Sequence, residues 1–92
     1  MAATVKLPTI LRKHTEGRAM VDADGATVGE VLRDLESRYS GVTRTIVTED
    51  GEGLHRFVNV YVNGEDVRYS GSLAAPVADG DTISILPAVA GG

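Results

Sequence analysis

Apolar and polar positions follow two rhythms along the chain. At Thr4-Val5-Lys6-Leu7 they alternate one by one, the period of a half-buried strand, and Pro8, which has no N–H to give to a ladder, ends the run. Ala19-Met20-Val21 offers a second short strand before the turn dipeptide Asp24-Gly25, and the polar, basic stretch from Ile10 to Gly17 reads as the loop between them. From Val28 the rhythm changes. Val28, Val31, Leu32, Leu35 and Tyr39 recur at i, i+3, i+4, i+7 and i+11, which lays one apolar stripe along a helix. Thr27-Val28-Gly29-Glu30 forms a capping box, with the Thr27 hydroxyl taking the Glu30 N–H while the Glu30 carboxylate reaches back. Gly41 stands where a left-handed C′ residue would close the helix, which is predicted from about Val28 to Tyr39.

The second half returns to alternation. After a weakly patterned stretch from Val42 to Thr48, the acidic, glycine-rich run Glu49-Asp50-Gly51-Glu52-Gly53 reads as a surface loop. Phe57 to Val62 then alternates cleanly, Asn63-Gly64 supplies a two-residue type I′ turn, and Glu65-Asp66-Val67 returns. Asp79-Gly80-Asp81 turns into a last strand, Thr82 to Leu86, stopped by Pro87. Strand, strand, helix, strand, strand, strand is a hairpin, a crossover helix long enough to return parallel, and further strands. The expected architecture is α+β, a β-grasp or ubiquitin-like mixed sheet of about five strands packed on one main helix. Residues 1–87 would form the domain and 88–92 a flexible C-terminal tail. Val28, Val31, Leu32 and Leu35 are expected to pack against Val5, Leu7, Val58, Val60, Ile83 and Ile85.

Composition narrows the function classes. Ninety-two residues suit one domain with one core and little room for a deep, enclosed active site. At 42% apolar and 24% charged residues the chain can collapse, and its net charge of −4 argues against a dedicated nucleic-acid binder. There is no cysteine, so disulfides, thiolate zinc sites and a side-chain persulfide are excluded. No stretch approaches a membrane span and the first residues lack a secretory pattern, so the expected location is the cytoplasm, with no membrane partner.

Enzymatic candidates are weak. There is no P-loop or GxSxG elbow, and Ser70, Ser72 and Ser84 have no histidine close by in sequence. His14 and His55 each flank a basic residue and read as solvated side chains; Asp79 with Asp81, and Asp22 with Asp24, read as turn formers, and no metal or cofactor site of the chain's own is expected. What remains is Ala88-Val89-Ala90-Gly91-Gly92. Two terminal glycines leave the last acyl carbon sterically open and suit a tail that threads a narrow channel in a partner. A carboxylate there is a poor acyl donor until a partner adenylates it, after which a sulfur or nitrogen nucleophile can attack. Gly-Gly is also found at frayed, functionless ends.

The stretch from Ala78 to Gly92 resembles the ending of the ubiquitin-like sulfur carriers, the ThiS/MoaD family, and the resemblance continues through Asn59 to Arg68 and Lys6 to Arg12. Within it, Ile85 to Gly92, Pro8 to Arg12 and Leu54 to Asn59 are most similar to the CysO type of actinobacteria. Ala88 departs from the molybdopterin-synthase small subunits, which usually carry a second proline there. The resemblance implies a non-enzymatic carrier, monomeric when free. A ubiquitin-activating-type adenylyltransferase/sulfurtransferase would convert the Gly92 carboxylate to a thiocarboxylate, with Ala88, Val89, Ala90 and Gly91 threading the partner channel. A pyridoxal-phosphate cysteine synthase acting on O-phosphoserine would accept the sulfur, and a zinc metalloprotease would release cysteine. Molybdopterin, thiamine or a specialised-metabolite synthase are alternative acceptors. A protein modifier joined to lysine through Gly92, and a non-covalent interaction module, are the rival classes. For a carrier handled by several enzymes an apolar sheet patch near the tail is expected, with Phe57, Val89 and Leu73 to Val77 as its candidates.

Overall fold

The structure, a computed structural model, describes residues 2–44, 46–47, 53–54 and 58–87. Five strands, β1 (Ala2–Lys6), β2 (Met20–Asp24), β3 (Val58–Val62), β4 (Glu65–Asp66) and β5 (Thr82–Pro87), form one sheet in the order β2-β1-β5-β3-β4. β1 and β5 pair in parallel through Thr4–Thr82, Val5–Ile83 and Lys6–Ser84, while β1–β2, β3–β5 and β3–β4 are antiparallel. The parallel pair is possible because α1 (Val28–Arg38) lies in the crossover. This is the β-grasp arrangement that the order of elements predicts.

The helix is built as its sequence implies. The Glu30 N–H donates to the Thr27 hydroxyl at 3.2 Å, and the Glu30 carboxylate accepts from the Ala26 N–H at 3.0 Å, one residue further back than Thr27 itself. Val28, Val31, Leu32 and Leu35 are buried, and Tyr39 packs partly against the core. Facing them are Val5, Leu7, Val58, Val60, Ile83 and Ile85, all buried, with Ala3, Val21 and Ala23 completing the inner face. Gly25 lies so close to the first turn of α1 that an added Cβ would stand 2.5 Å from the Val31 nitrogen.

Several expectations need correction. The helix ends at Arg38 with Tyr39 as an extended C-cap, so Gly41 takes its left-handed conformation (φ 91°) one residue beyond the C′ position. The stretch expected to be a polar loop contains a 3₁₀ segment, Thr9–Thr15, whose Leu11 and Thr15 are buried. The Thr15 hydroxyl donates to the Arg18 carbonyl at 2.9 Å, which satisfies its one buried polar group. Asp24 belongs to β2 rather than to a turn, and β5 runs one residue further than expected, through Pro87. Asn63 and Gly64 have φ of 52° and 89°, the two positive values a type I′ turn requires. Val42 and Ile46, in the weakly patterned stretch, are fully buried.

Candidate functional site

The sheet topology gathers three features at one edge. Because β1 and β5 run parallel, the segments that follow them leave the sheet on the same side. After β1 come Leu7, Pro8 and the 3₁₀ segment; after β5 comes residue 88. β3 runs the other way and so begins at this edge, with Val58 opposite Pro87 and Asn59 opposite Leu86. The root of the C-terminal segment therefore lies at the end of the central strand, paired with β3 through Val58 and Asn59, while pairing with β1 ends at Ser84. Ala88, Val89, Ala90, Gly91 and Gly92 lie outside the described residues, as do His55 and Phe57.

Strand alternation decides what surrounds that root. Ile85 points into the core, so its neighbour Leu86 points out and is 49% exposed. Lys6, Ser84 and Tyr61 share the outer face in one cross-strand row, extended to Met20, which pairs with Lys6 and is 57% exposed. Ile10, on the 3₁₀ segment, is 62% exposed and lines a shallow groove with Lys6, Pro8, Arg12, Ser84 and Leu86. Arg12 Nε donates to the Leu7 carbonyl at 3.2 Å and so ties the 3₁₀ segment to its approach from β1. The result is an apolar surface with two cations on its rim, in a chain whose net charge is −4.

The expected patch at Leu73 to Val77 is not on this face. Ala75 and Val77 are buried, the Val28 N–H donates to the Ala75 carbonyl at 3.0 Å, and the Val77 N–H donates to the Ala26 carbonyl at 2.9 Å. Leu73 is half-buried against the helix side, where its carbonyl oxygen would stand 3.1 Å from a Cβ on Gly29. This segment secures the start of α1. The side chains that do form the outer patch, Ile10, Met20 and Leu86, were missed for two reasons. Ile10 opens a stretch that reads as a basic loop, and the outward position of Leu86 follows only once Ile85 is assigned inward.

The acidic pairs split. Asp81 accepts from the Ala78 N–H at 2.8 Å and from the Asn63 amide at 2.9 Å; the Ala78 N–H, with the Asn63 amide second, holds its carboxyl below the ordinary value. Asp79 accepts from the Ala2 N–H at 3.1 Å and so ties the start of β1 to the turn; of this pair only Asp81 caps a turn as expected. Asp22 and Asp24 instead lie along β2, and Arg38 bridges Asp24 and Asp34 at 3.1 and 2.9 Å. Among the described residues no three His, Cys, Asp or Glu side chains are grouped to hold a metal. Nor is any helix among them long and apolar enough to cross a membrane.

A mixed sheet on one helix, with the last strand at its centre and outward apolar side chains gathered where that strand ends, defines a ubiquitin-like β-grasp protein. The chain matches the ThiS family over residues 5–92 and belongs to that family, whose members are small sulfur carriers and not enzymes. It is 57% identical over 93 aligned positions to the sulfur carrier protein CysO of Mycobacterium tuberculosis, with all of both chains covered. The crystal structure of that species' CysO superposes with a TM-score of 0.90 at 56% identity, covering 95% of this chain and 99% of the other. CysO in the crystal structure of the Amycolatopsis orientalis BexX/CysO complex superposes with a TM-score of 0.91 at 61% identity, covering 98% and 99%.

Proposed function

We propose that the chain carries sulfur as a thiocarboxylate on the main-chain carboxyl of Gly92, with residues 88–92 acting as a tail on the 1–87 domain. The supporting observation is that the family match runs through Gly91-Gly92 and that the likeness to CysO covers the full chain. In the first step a Gly92 carboxylate oxygen attacks the α-phosphorus of ATP on an adenylyltransferase of the ubiquitin-activating type, and pyrophosphate leaves. A sulfur nucleophile then attacks the acyl carbon, AMP leaves, and the thiocarboxylate remains. Glycine at 91 and 92 keeps that carbon unhindered.

The acceptor we favour is a cytoplasmic pyridoxal-phosphate cysteine synthase working from O-phosphoserine, with a zinc metalloprotease releasing the cysteine. Ala88, in place of a second proline, weighs against a molybdopterin role. The partner-facing surface is the outer groove beside the root of the tail. Ile10 and Leu86 supply apolar area in the groove and Met20 adds to it beside Lys6, and Lys6 and Arg12 select an acidic rim on the partner.

The experiment compares the full chain with one lacking Gly91 and Gly92, each given the activating enzyme of its host, ATP and sulfide, and read by intact mass. The full chain should exchange one oxygen for sulfur and the shortened chain should not, while thermal unfolding stays the same. Equal loading of both forms overturns the assignment to Gly92.

A further inference from the structure

Strand β4 is two residues long and pairs with Tyr61 and Val62 of β3, so among the described residues no strand pairs with this side of β3 at Val58 and Asn59. The chain turns there into a 3₁₀ segment, Val67–Tyr69, in which the Asp66 carboxylate accepts the Arg68 N–H at 2.9 Å. Arg68 then reaches back along that side of β3. Its Nη2 donates to the Val58 carbonyl at 2.7 Å and its Nη1 to Asn59 Oδ1 at 2.9 Å. Val58 and Asn59 are the residues opposite Pro87 and Leu86, the last two pairs of β5. A guanidinium offers its donors in a rigid fork, and a cationic donor strengthens its bonds, which suits it to hold the Val58 carbonyl and the Asn59 side-chain oxygen at once.

We infer that Arg68 is a positioning residue for the tail: it clamps Val58 and Asn59 of β3 and so holds the strand pair from which residues 88–92 leave. The inference rests on the assignment of the carried sulfur to Gly92. A root held in one arrangement offers the tail to a partner channel in one direction. When only a fraction of molecules holds that arrangement, apparent affinity falls by that fraction, while the chemistry of a carboxyl already seated does not change. Loss of Arg68 should therefore raise KM for the carrier and spare kcat.

The test measures ATP-dependent loading with sulfide and the host's activating enzyme at varied carrier concentration, for wild type, Arg68→Ala, Arg68→Lys and Asn59→Ala. Amide exchange of the free proteins is followed alongside. Arg68→Ala should raise KM about tenfold, as for a competent population reduced to about a tenth, with kcat unchanged. Exchange should quicken at Asn59, Val60 and Leu86. Arg68→Lys, which keeps a point donor for the Val58 carbonyl, should recover part of the loss. Asn59→Ala leaves the cation in place and removes one anchor, so its KM should rise less, in the same direction. An unchanged KM in Arg68→Ala overturns the inference, as does a fall in kcat alone. A raised KM with unaltered exchange overturns it too, because the guanidinium would then be touching the partner directly. Failure of the wild-type chain to load overturns the Gly92 assignment itself, and the role of Arg68 with it.

Discussion

On the inner face of the sheet Val5, Val60, Ile83 and Ile85 are buried beneath Val28, Val31, Leu32 and Leu35 of α1. On the outer face the alternate residues of the same strands, Lys6, Tyr61, Ser84 and Leu86, face outward, and Ile10 and Met20 add apolar area beside them. In β5 the two roles interleave residue by residue. Ile83 and Ile85 hold the fold, and Ser84 and Leu86 lie on the outer face. A strand pleat separates side chains by face with no extra structure, so stability and recognition can be altered independently within a few residues.

The separation breaks most visibly on the inner side. Leu35→Ala removes a fully buried side chain from the middle of the helix stripe and should cost about 2 to 5 kcal/mol in urea unfolding. Loading measured well below the unfolding transition should not change. A cost near zero would mean that the stripe does not carry the fold.

The outer face should give the opposite pattern. Leu86→Asp combined with Ile10→Asp changes two exposed positions, so stability should stay within about 0.5 kcal/mol for each. Binding to the activating enzyme, followed by calorimetry, should weaken at least about tenfold if these side chains are central to the contact. The same charge change at Arg33, exposed on α1, should leave binding as it was. Equal affinities for all three proteins would place the contact elsewhere.

A local test on the inner side is Thr27→Ala. It removes the hydroxyl that accepts the Glu30 N–H at the start of α1 and should lower stability by about 1 kcal/mol. Thr27→Ser, which keeps an acceptor, should restore most of it. A loss of the same size in both would point to packing of the methyl group instead of the cap.

How far the sequence discloses these features depends on how local their cause is. The stripe of α1, its capping box and the Asn63-Gly64 turn are set by neighbours within a turn or two of chain, and each is present where its residues indicate. The 3₁₀ segment Thr9–Thr15 has no such signature, because its basic residues obscure Leu11, which is buried through contacts formed elsewhere in the fold. Val42 and Ile46 are buried for the same distant reasons. Leu73 to Val77 has the composition of a surface patch, but its carbonyl and N–H groups meet Val28 and Ala26, a pairing that nothing within the segment announces. Of the features of the proposed site, the Gly91-Gly92 pair stands plainly in the sequence. The groove beside its root exists only because parallel pairing of β1 with β5 brings Ile10 next to Leu86.

The smallest expected effect concerns the turn after α1, where Glu36 anchors the residues that lead to Val42 and Ile46. Its carboxylate accepts the Gly41 N–H, the Thr43 N–H at 3.0 Å and the Thr43 hydroxyl at 2.6 Å. Burial pushes this carboxyl up, but the bonds from Gly41 and Thr43, aided by the charge of Arg44, outweigh it and hold the group below its ordinary value of 4.5. Because the folded carboxyl releases its proton more readily than the unfolded one, its contribution is complete above the ordinary value. It is lost as pH falls from there through the lower folded value. Glu36→Gln presents an N–H group where one carboxylate oxygen now accepts, so either Gly41 or Thr43 loses its partner. At neutral pH the variant should be less stable by no more than about 1 kcal/mol, since the group is partly solvated. The gap between variant and wild type should narrow as pH falls through the carboxylate range, as urea unfolding at a series of pH values would read. A gap that stays constant with pH would show that the charge of Glu36 does not anchor this turn.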